Sequence, residues 1–108
     1  MPLSVFLTND AAHDLDDLCH YIAQYDSPQR ADYVLGQIER AFSRLSKFPE
    51  RGTHPEELLA LGILEYREIS FKPYRIIYRV MAKKVYVLLI ADGRRDMQTL
   101  LQRRLLGA

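Results

Sequence analysis

The sequence predicts a single α+β domain over residues 1–108, in which a pair of amphipathic helices packs on a mostly antiparallel sheet. Two apolar stripes at helical spacing occupy the N-terminal half, and three apolar runs of strand length, separated by short turns, occupy the C-terminal half. A helical pair and a sheet each leave an apolar face that needs a cover, so the two layers should pack face to face. The chain is 48% hydrophobic, enough for one core.

The N-terminal elements are predicted to be a short strand and a helix. Residues 3–7 form an apolar run of strand length. Thr8 or Asn9 then offers an N-cap oxygen for the helix that follows. The apolar residues of this helix recur at steps of four, three and four, which places them on one face: Ala11, Leu15, Leu18 and Ile22.

A second helix is predicted to begin at Ser27-Pro28, where serine is an N-cap and proline occupies the first helical position. The link between the helices is only a few residues long, so they should form an antiparallel hairpin. Gly36 lies in the middle of this second helix and indicates a close helix–helix contact. Phe48-Pro49 should end the helix, because the residue before a proline disfavours helical backbone.

The C-terminal half is predicted to contain a three-stranded antiparallel meander and a short helix. Residues 49–62 form a loop with one helical turn at 56–60, and strands are expected at 63–72, 74–82 and 85–91. In the third strand, strict alternation would place Val85, Val87 and Leu89 on one face. Asp96 is the expected N-cap of the last helix. Arg103 and Arg104 in that helix remain open to three interpretations: contact with a target, contact with a partner, or solvation of the helix.

Composition and charge exclude several classes of protein. A single cysteine excludes a disulfide framework and any cysteine-based zinc cluster, and no metal or other cofactor is predicted. No apolar run approaches the roughly 18 residues of a membrane span, and the N-terminus lacks the features of a signal peptide, so a soluble cytoplasmic protein is expected. Residues 1–50 hold four Lys and Arg against eight Asp and Glu, whereas residues 51–108 hold eleven against six. This asymmetry indicates either one face for an anionic partner or mutual neutralisation within the fold.

Arginines concentrate on the predicted sheet and immediately after it. Guanidinium groups on neighbouring strands form a preorganised site for phosphate or carboxylate groups. We therefore predict an anion-binding or target-binding site formed by Arg67, Arg75, Arg79, Arg94 and Arg95. The alternative interpretation is that these side chains cover apolar surface with their stems or pair with Asp92, Asp96 and Glu68.

Several segments resemble the RelE/ParE toxin superfamily, most closely its ParE-type members. In the predicted helical hairpin, three segments resemble ParE-type toxins: Leu15-Asp16-Asp17-Leu18, Ala31-Asp32-Tyr33, and the stretch from Phe48 to Gly52. The resemblance of the sheet lies in Tyr74-Arg75-Ile76-Ile77-Tyr78-Arg79-Val80 and in Gly93-Arg94-Arg95-Asp96. These pieces occur in the family's order and cover nearly the whole chain, and the family's fold agrees with the predicted element order.

The resemblance implies the toxin of a bacterial type II toxin–antitoxin pair, neutralised by a cognate antitoxin. It implies that an antitoxin segment, disordered when free, folds across the domain, adding either a strand to a sheet edge or a helix to a groove, and that operator DNA is bound only through the antitoxin. Two activities occur in the superfamily. ParE-like members poison DNA gyrase and block replication, whereas RelE-like members cut messenger RNA in the ribosome.

The residues favour the ParE-like activity. Matching to RelE-like enzymes places Arg75 and Arg95 at the arginine positions, but it places Tyr66 and Glu68 where that group carries lysines. The C-terminal tyrosine of RelE-like enzymes has no counterpart either, because residues 92–108 contain no tyrosine. RNA cleavage needs an acid–base pair, whereas gyrase poisoning needs only a binding surface. We therefore assign no catalytic residue and predict a gyrase poison. The alternatives are a ribosome-dependent ribonuclease using Arg75 and Arg95, and a non-toxic domain that still binds an antitoxin.

Overall fold

A computed structural model describes residues 2–107 and confirms the predicted element order. The elements, numbered along the chain, are β1 (Ser4–Leu7), α1 (Asn9–Tyr25), α2 (Pro28–Lys47), α3 (Glu56–Leu59), β2 (Arg67–Phe71), β3 (Tyr74–Met81), β4 (Lys84–Asp92) and α4 (Met97–Leu106).

All three long helices begin at the predicted N-caps. The Thr8 hydroxyl accepts a hydrogen bond from the Ala11 N–H at 3.1 Å, and the Ser27 hydroxyl accepts one from the Arg30 N–H at 3.0 Å. Asp96 caps α4 by accepting from the Thr99 N–H at 3.1 Å. These side-chain oxygens satisfy N–H groups that have no partner within the first helical turn. The close helix–helix contact expected at Gly36 is absent, because a Cβ added there would meet nothing within 4 Å among the described residues.

The four strands form one sheet in the order β1-β4-β3-β2. The antiparallel pairings β2–β3 and β3–β4 confirm the meander, with Pro73 in the first turn. The second turn places Ala82 and Lys83 at positive φ values of 51° and 61°, as a tight two-residue hairpin requires. β1 pairs with β4 in parallel, so the helical hairpin is part of the long connection between them.

A β-bulge in β4 changes which residues face the helical hairpin. Ile77 is in register with Leu89 and Tyr78 with Val87, so Leu88 is the extra residue. Val85, Val87 and Ile90 consequently pack in the cluster under α1 and α2, whereas Leu89 lies in the cluster on the other face. The predicted grouping of Leu89 with Val85 and Val87 is therefore wrong, because one inserted residue reverses the alternation.

Strand β2 begins at Arg67, four residues later than predicted. The preceding chain instead continues the turn after α3, where the Ile63 N–H donates to the Leu58 carbonyl at 3.0 Å and Gly62 has φ +74°. α3 and α4 cover the second face of the sheet around Ile77, Leu89 and Ala91. Helices therefore cover both faces of the central strands. The two arginines of β3, Arg75 and Arg79, remain partly exposed at the edges of these helical layers.

Candidate functional site

Arg75 lies between two carboxylates. Its Nε donates to Glu68 Oε2 at 2.6 Å, and its Nη2 donates to Glu68 Oε1 at 2.9 Å. Its Nη1 and Nη2 also donate to Glu57 Oε2 and Oε1, each at 2.8 Å. The hydrogen bond from Arg75 lowers the pKa of Glu57, and the same contacts raise the pKa of Arg75. One cation held by two anions has a net local charge of −1, which disfavours phosphate at this place.

Arg75 is fixed in this position from three elements. It projects from β3, Glu68 projects from the paired strand β2, and Glu57 projects from α3. The Arg75 side chain is 17% exposed, and the Glu68 side chain is 13% exposed. Its stem also lies against the chain after β4, because a Cβ on Gly93 would come within 2.8 Å of Arg75 Cδ. The predicted alternative of pairing with Glu68 therefore describes Arg75, and Glu57 is a partner that sequence reasoning missed.

Arg67 and Arg79 each have a separate structural partner. Arg67 Nη1 donates to the Gly52 carbonyl at 2.8 Å and to the Glu50 carbonyl at 3.3 Å, which ties β2 to the loop after α2. The Arg79 guanidinium lies over the Tyr66 ring, with Cζ 5.7 Å from the ring centroid. Their anion-binding role stays a prediction, and neither side chain bonds Glu57 or Glu68, the two partners of Arg75.

Arg94 and Arg95 follow β4 and are exposed to solvent. Arg94 Nε and Nη2 donate to the Asp92 carboxylate at 3.0 and 2.6 Å, and these bonds lower the pKa of Asp92. Among residues 2–107, the Arg95 guanidinium has no hydrogen-bond or ion-pair partner. Of the five predicted arginines, Arg95 is therefore the one with no hydrogen-bond, ion-pair or aromatic partner within residues 2–107, whereas the contacts of Arg67 and Arg79 leave their positive charge without a carboxylate partner.

A groove of about 440 Å³ lies between α1 and the end of β4. Its walls are Asp14, Asp17, Leu18 and Tyr21 of α1, Tyr74 of β3, Ile90, Ala91 and Asp92 of β4, and the two arginines Arg94 and Arg95. Tyr21 is 62% exposed, and its ring packs against the Tyr25 ring in a tilted arrangement, with 4.6 Å between the ring centroids. The structure thus brings Arg94 and Arg95 together with aromatic surface, in a place suited to a protein partner.

Neither the histidines nor the cysteine forms a catalytic constellation in the described chain. His54 Nδ1 lies 3.1 Å from the Tyr66 carbonyl, a structural contact in the loop before β2. Burial, with Asp16 nearby, raises the pKa of the Cys19 thiol and so disfavours a reactive thiolate. Within residues 2–107, no group of three or more His, Cys, Asp or Glu side chains is placed to hold a metal ion. No helix in the same range has both the length and the apolar character needed to cross a membrane.

Comparison with known proteins identifies the family. The sequence profile described as "ParE toxin of type II toxin-antitoxin system, parDE" matches residues 5–97. The chain belongs to the ParE toxin family. This ParE-family toxin is 32% identical over 93 residues to Toxin ParE3 of Caulobacter vibrioides, a match that covers 86% of this chain and 89% of the relative.

Solved structures of toxin–antitoxin systems share the fold of this ParE-family toxin. A chain of the chromosomal ParDE system from P. aeruginosa matches with a TM-score of 0.69 and 21% identity, covering 83% of this chain and 95% of the other. A chain of the toxin–antitoxin complex RelBE2 from Mycobacterium tuberculosis matches with a TM-score of 0.58 and 25% identity, covering 85% of this chain and 92% of the other. Most of α4 lies beyond the residues that the family profile matches.

Two further charged residues of this toxin escaped the sequence reasoning. Asp14 and Arg104 form a bidentate ion pair that joins α1 to α4, with Nη1–Oδ2 at 2.8 Å and Nη2–Oδ1 at 2.9 Å. None of the three interpretations left open for Arg104 describes this contact. The residues are 90 positions apart, so no local pattern in the sequence pairs them.

Proposed function

We propose that this ParE-family toxin arrests growth by binding DNA gyrase and that a cognate antitoxin neutralises it. The observation that carries the proposal is the position of Arg75 between Glu57 and Glu68. In the ribonuclease interpretation, Arg75 would stabilise negative charge on the phosphate, which requires N–H groups aimed at the substrate. Here most of its N–H groups are already bonded to carboxylates, and both carboxylates would repel a phosphate.

The second argument against RNA cleavage is that three candidate acids and bases of the described chain, Glu57, Glu68 and Tyr78, already have structural partners. A cleaving enzyme must remove a proton from the 2′-hydroxyl and give one to the leaving 5′-oxygen. Glu57 and Glu68 are ion-paired with Arg75, and the Tyr78 hydroxyl donates to the Pro49 carbonyl at 2.7 Å. Burial raises the pKa of Tyr78 above its ordinary value, which keeps the hydroxyl protonated at neutral pH and so unavailable as a general base. A toxin that acts by binding needs none of these groups.

The same proposal implies a cytoplasmic protein, because gyrase and its DNA are cytoplasmic. It also places operator binding in the antitoxin. The sequence carries no helix-turn-helix signature, and a formal net charge of +1 gives little attraction for duplex DNA.

A supercoiling assay tests the proposal. Purified toxin is incubated with DNA gyrase, relaxed plasmid and ATP, and the products are resolved before and after protein denaturation. We expect inhibited supercoiling, or linear DNA released on denaturation, and we expect pre-incubation with the antitoxin to abolish the effect. Full supercoiling by a preparation that still arrests growth would overturn the proposal. Cleavage of ribosome-bound messenger RNA by that preparation would then establish the alternative.

The Arg75 site offers a second test that separates the two activities. The variant carrying both Glu57→Gln and Glu68→Gln removes the two negative charges beside the Arg75 guanidinium without adding a base. We expect this variant to show no messenger RNA cleavage on ribosomes, as for the unmodified toxin. RNA cleavage that depends on Arg75 in either protein would contradict the proposed mode of action.

A further inference from the structure

Four side chains form a row across the sheet, which we call the aromatic–arginine row. Phe6 of β1 is in register with Tyr86 of β4, and Tyr86 is in register with Arg79 of β3. The register of β2 with β3 places Tyr66, the residue before β2, beside Arg79. Because neighbouring strands lie about 4.8 Å apart, two rings, a guanidinium group and a third ring follow one another at close spacing.

The row lies on the sheet face opposite the helical hairpin. The residues that flank Phe6 and Tyr86 along their strands pack in the cluster under α1 and α2: Val5, Leu7, Val85 and Val87. Since successive side chains of a strand alternate between faces, Phe6 and Tyr86 point to the other face. Tyr66 is buried in the cluster under α3 and α4, but Phe6 at the opposite end of the row is 44% exposed.

Contacts within the row hold its flat groups in place. The Phe6 and Tyr86 rings stack, with 5.8 Å between their centroids and 26° between their planes. Arg79 lies over the Tyr66 ring, and Lys84 Nζ lies 5.7 Å from the centroid of the Phe6 ring. A ligand that stacks here therefore meets side chains that are already ordered, which reduces the entropy lost on binding.

The charges at the row are positive and uncompensated. Arg79 lies within the row, Lys84 lies beside Phe6, and Lys83 precedes Lys84 in the hairpin turn. Within residues 2–107, none of these three cations forms an ion pair with a carboxylate. Arg75, on the same face of β3, is by contrast held between two carboxylates. The row therefore combines exposed aromatic surface with unpaired cations, which fits an anionic ligand that carries flat groups.

A single-stranded polynucleotide supplies both parts of this chemistry. Its unpaired bases can stack on an aromatic ring, and its phosphates can bind neighbouring cations. A duplex is a poorer fit, because its bases are stacked on one another and are not free to lie on Phe6. A second copy of this chain is also a poorer fit, because a symmetric contact through this face would bring like charges together.

We propose that the aromatic–arginine row binds a single-stranded polynucleotide, with one base stacked on the exposed part of Phe6 and phosphates bound by Arg79 and Lys84. The inference goes beyond the proposed function, which assigns the toxin no nucleic-acid contact of its own. It also gives the predicted anion-binding role of Arg79 a specific ligand.

Fluorescence anisotropy of the purified toxin tests the proposal. The probes are a labelled oligothymidylate, an oligouridylate of the same length and a duplex of that length. We expect at least one single strand to bind at least about tenfold more tightly than the duplex, with an affinity that falls as salt is raised. A preference for thymidylate or uridylate distinguishes DNA from RNA as the source of the strand.

Three results of this assay would overturn the proposal: no binding of either single strand at low salt, equal binding of the duplex, or equally effective competition by polyglutamate at the same charge concentration. The last result would indicate an acidic protein as the occupant. Each of them leaves the proposed function intact, because inhibition of gyrase is measured separately in the supercoiling assay.

Two pairs of variants locate the binding. Phe6→Ala is compared with Phe48→Ala, which removes an exposed ring after α2, and Arg79→Gln is compared with Arg40→Gln, which removes an exposed arginine of α2. We expect the first member of each pair to weaken binding of the single strand by about tenfold and the second to leave it unchanged. Equal affinities within both pairs overturn the inference.

Two further variants separate loss of binding from loss of folding. Phe6→Tyr keeps the ring, so it should bind as the unmodified toxin does. Lys84→Gln changes an exposed side chain, and we expect it to reduce the slope of log affinity against log salt concentration by about 0.7, as the loss of one phosphate contact does. An unchanged slope for Lys84→Gln, or a loss of binding with Phe6→Tyr equal to that with Phe6→Ala, contradicts the proposed contacts.

Discussion

The Asp14 carboxylate and the Arg104 guanidinium together bond the edge of β4 immediately beyond the end of β1. Asp14 Oδ2 accepts from the Ile90 N–H at 3.0 Å, and Arg104 Nη1 donates to the Leu88 carbonyl at 2.8 Å. The same two side chains bond each other at 2.8 and 2.9 Å. One ion pair thus holds α1, β4 and α4 together, and it satisfies two backbone groups of β4 that lie beyond the last residue pair with β1.

Arg104→Ala is expected to destabilise the toxin by about 2–3 kcal/mol, because it leaves the Asp14 carboxylate and the Leu88 carbonyl without their partner in a largely buried place. The Arg104 and Asp14 side chains are only 22% and 17% exposed. Urea unfolding measures the change. The control Arg103→Ala alters an exposed neighbour and should stay within about 0.5 kcal/mol of the unmodified toxin. Equal losses for the two variants would refute the structural role of the ion pair.

Glu57→Gln is expected to cost about 1–2 kcal/mol at neutral pH, since it removes a charge-assisted contact with Arg75. The folded-state pKa of Glu57 lies below its ordinary value of 4.5 because Arg75 donates to the carboxylate. The stabilisation that the Glu57 carboxylate gives the folded state is therefore complete above pH 4.5, and it disappears as the pH falls through the folded-state pKa of Glu57.

Urea unfolding of the Glu57→Gln variant at several pH values measures this dependence. The difference in free energy of unfolding between this variant and the unmodified toxin should decrease as the solution is acidified. Glu56→Gln, which changes the exposed neighbour of Glu57 in α3, should show no such trend. A difference in unfolding free energy that stays constant from pH 7 to pH 3 would contradict the ion pair between Glu57 and Arg75.

Gly52→Ala is expected to destabilise the fold by about 1–3 kcal/mol, because the new methyl group has no room. Its Cβ would lie 2.6 Å from Tyr78 Oη and 2.7 Å from the Glu68 carbonyl oxygen. Gly36→Ala is the matched control, with nothing within 4 Å of the added Cβ. In α2 it should instead stabilise by about 0.5–1 kcal/mol, because alanine favours helix over glycine. Thermal unfolding of both variants gives the comparison, and a loss with Gly36→Ala would mean that α2 packs more closely there than the structure shows.

Tyr78→Phe is expected to cost about 1–2 kcal/mol, because the Pro49 carbonyl and the Gly52 N–H both lose a partner. Burial raises the pKa of Tyr78 above its ordinary value of 10, so its contribution is complete below pH 10 and is lost as the pH rises through the folded-state pKa. The stability difference between the two proteins should therefore shrink in alkaline solution. Denaturant unfolding from pH 7 to pH 11 measures it, and a difference that grows with pH would show that the hydroxyl is not held as described.

The sequence by itself determined the order of the elements, the helix caps at Ser27 and Asp96, and the meander of the last three strands, and it limited the first cap to Thr8 or Asn9. These features depend on residues a few positions apart, so a local pattern carries them. The family also follows from the sequence, because motif residues such as those around Arg75 occur in the family's order along the chain.

Only the tertiary structure decided which charges are available and where the sheet remains open. Arg75 has a partner in α3 that lies 18 residues away in the sequence, and Arg104 has one 90 residues away. The bulge at Leu88 places Leu89 on the other face of the sheet. Because β1 ends at Leu7, the Ile90 N–H donates to Asp14 and not to a neighbouring strand. The physical reason is that ion pairing and strand pairing join residues by their position in space, whereas helical periodicity and capping act between neighbours in the chain.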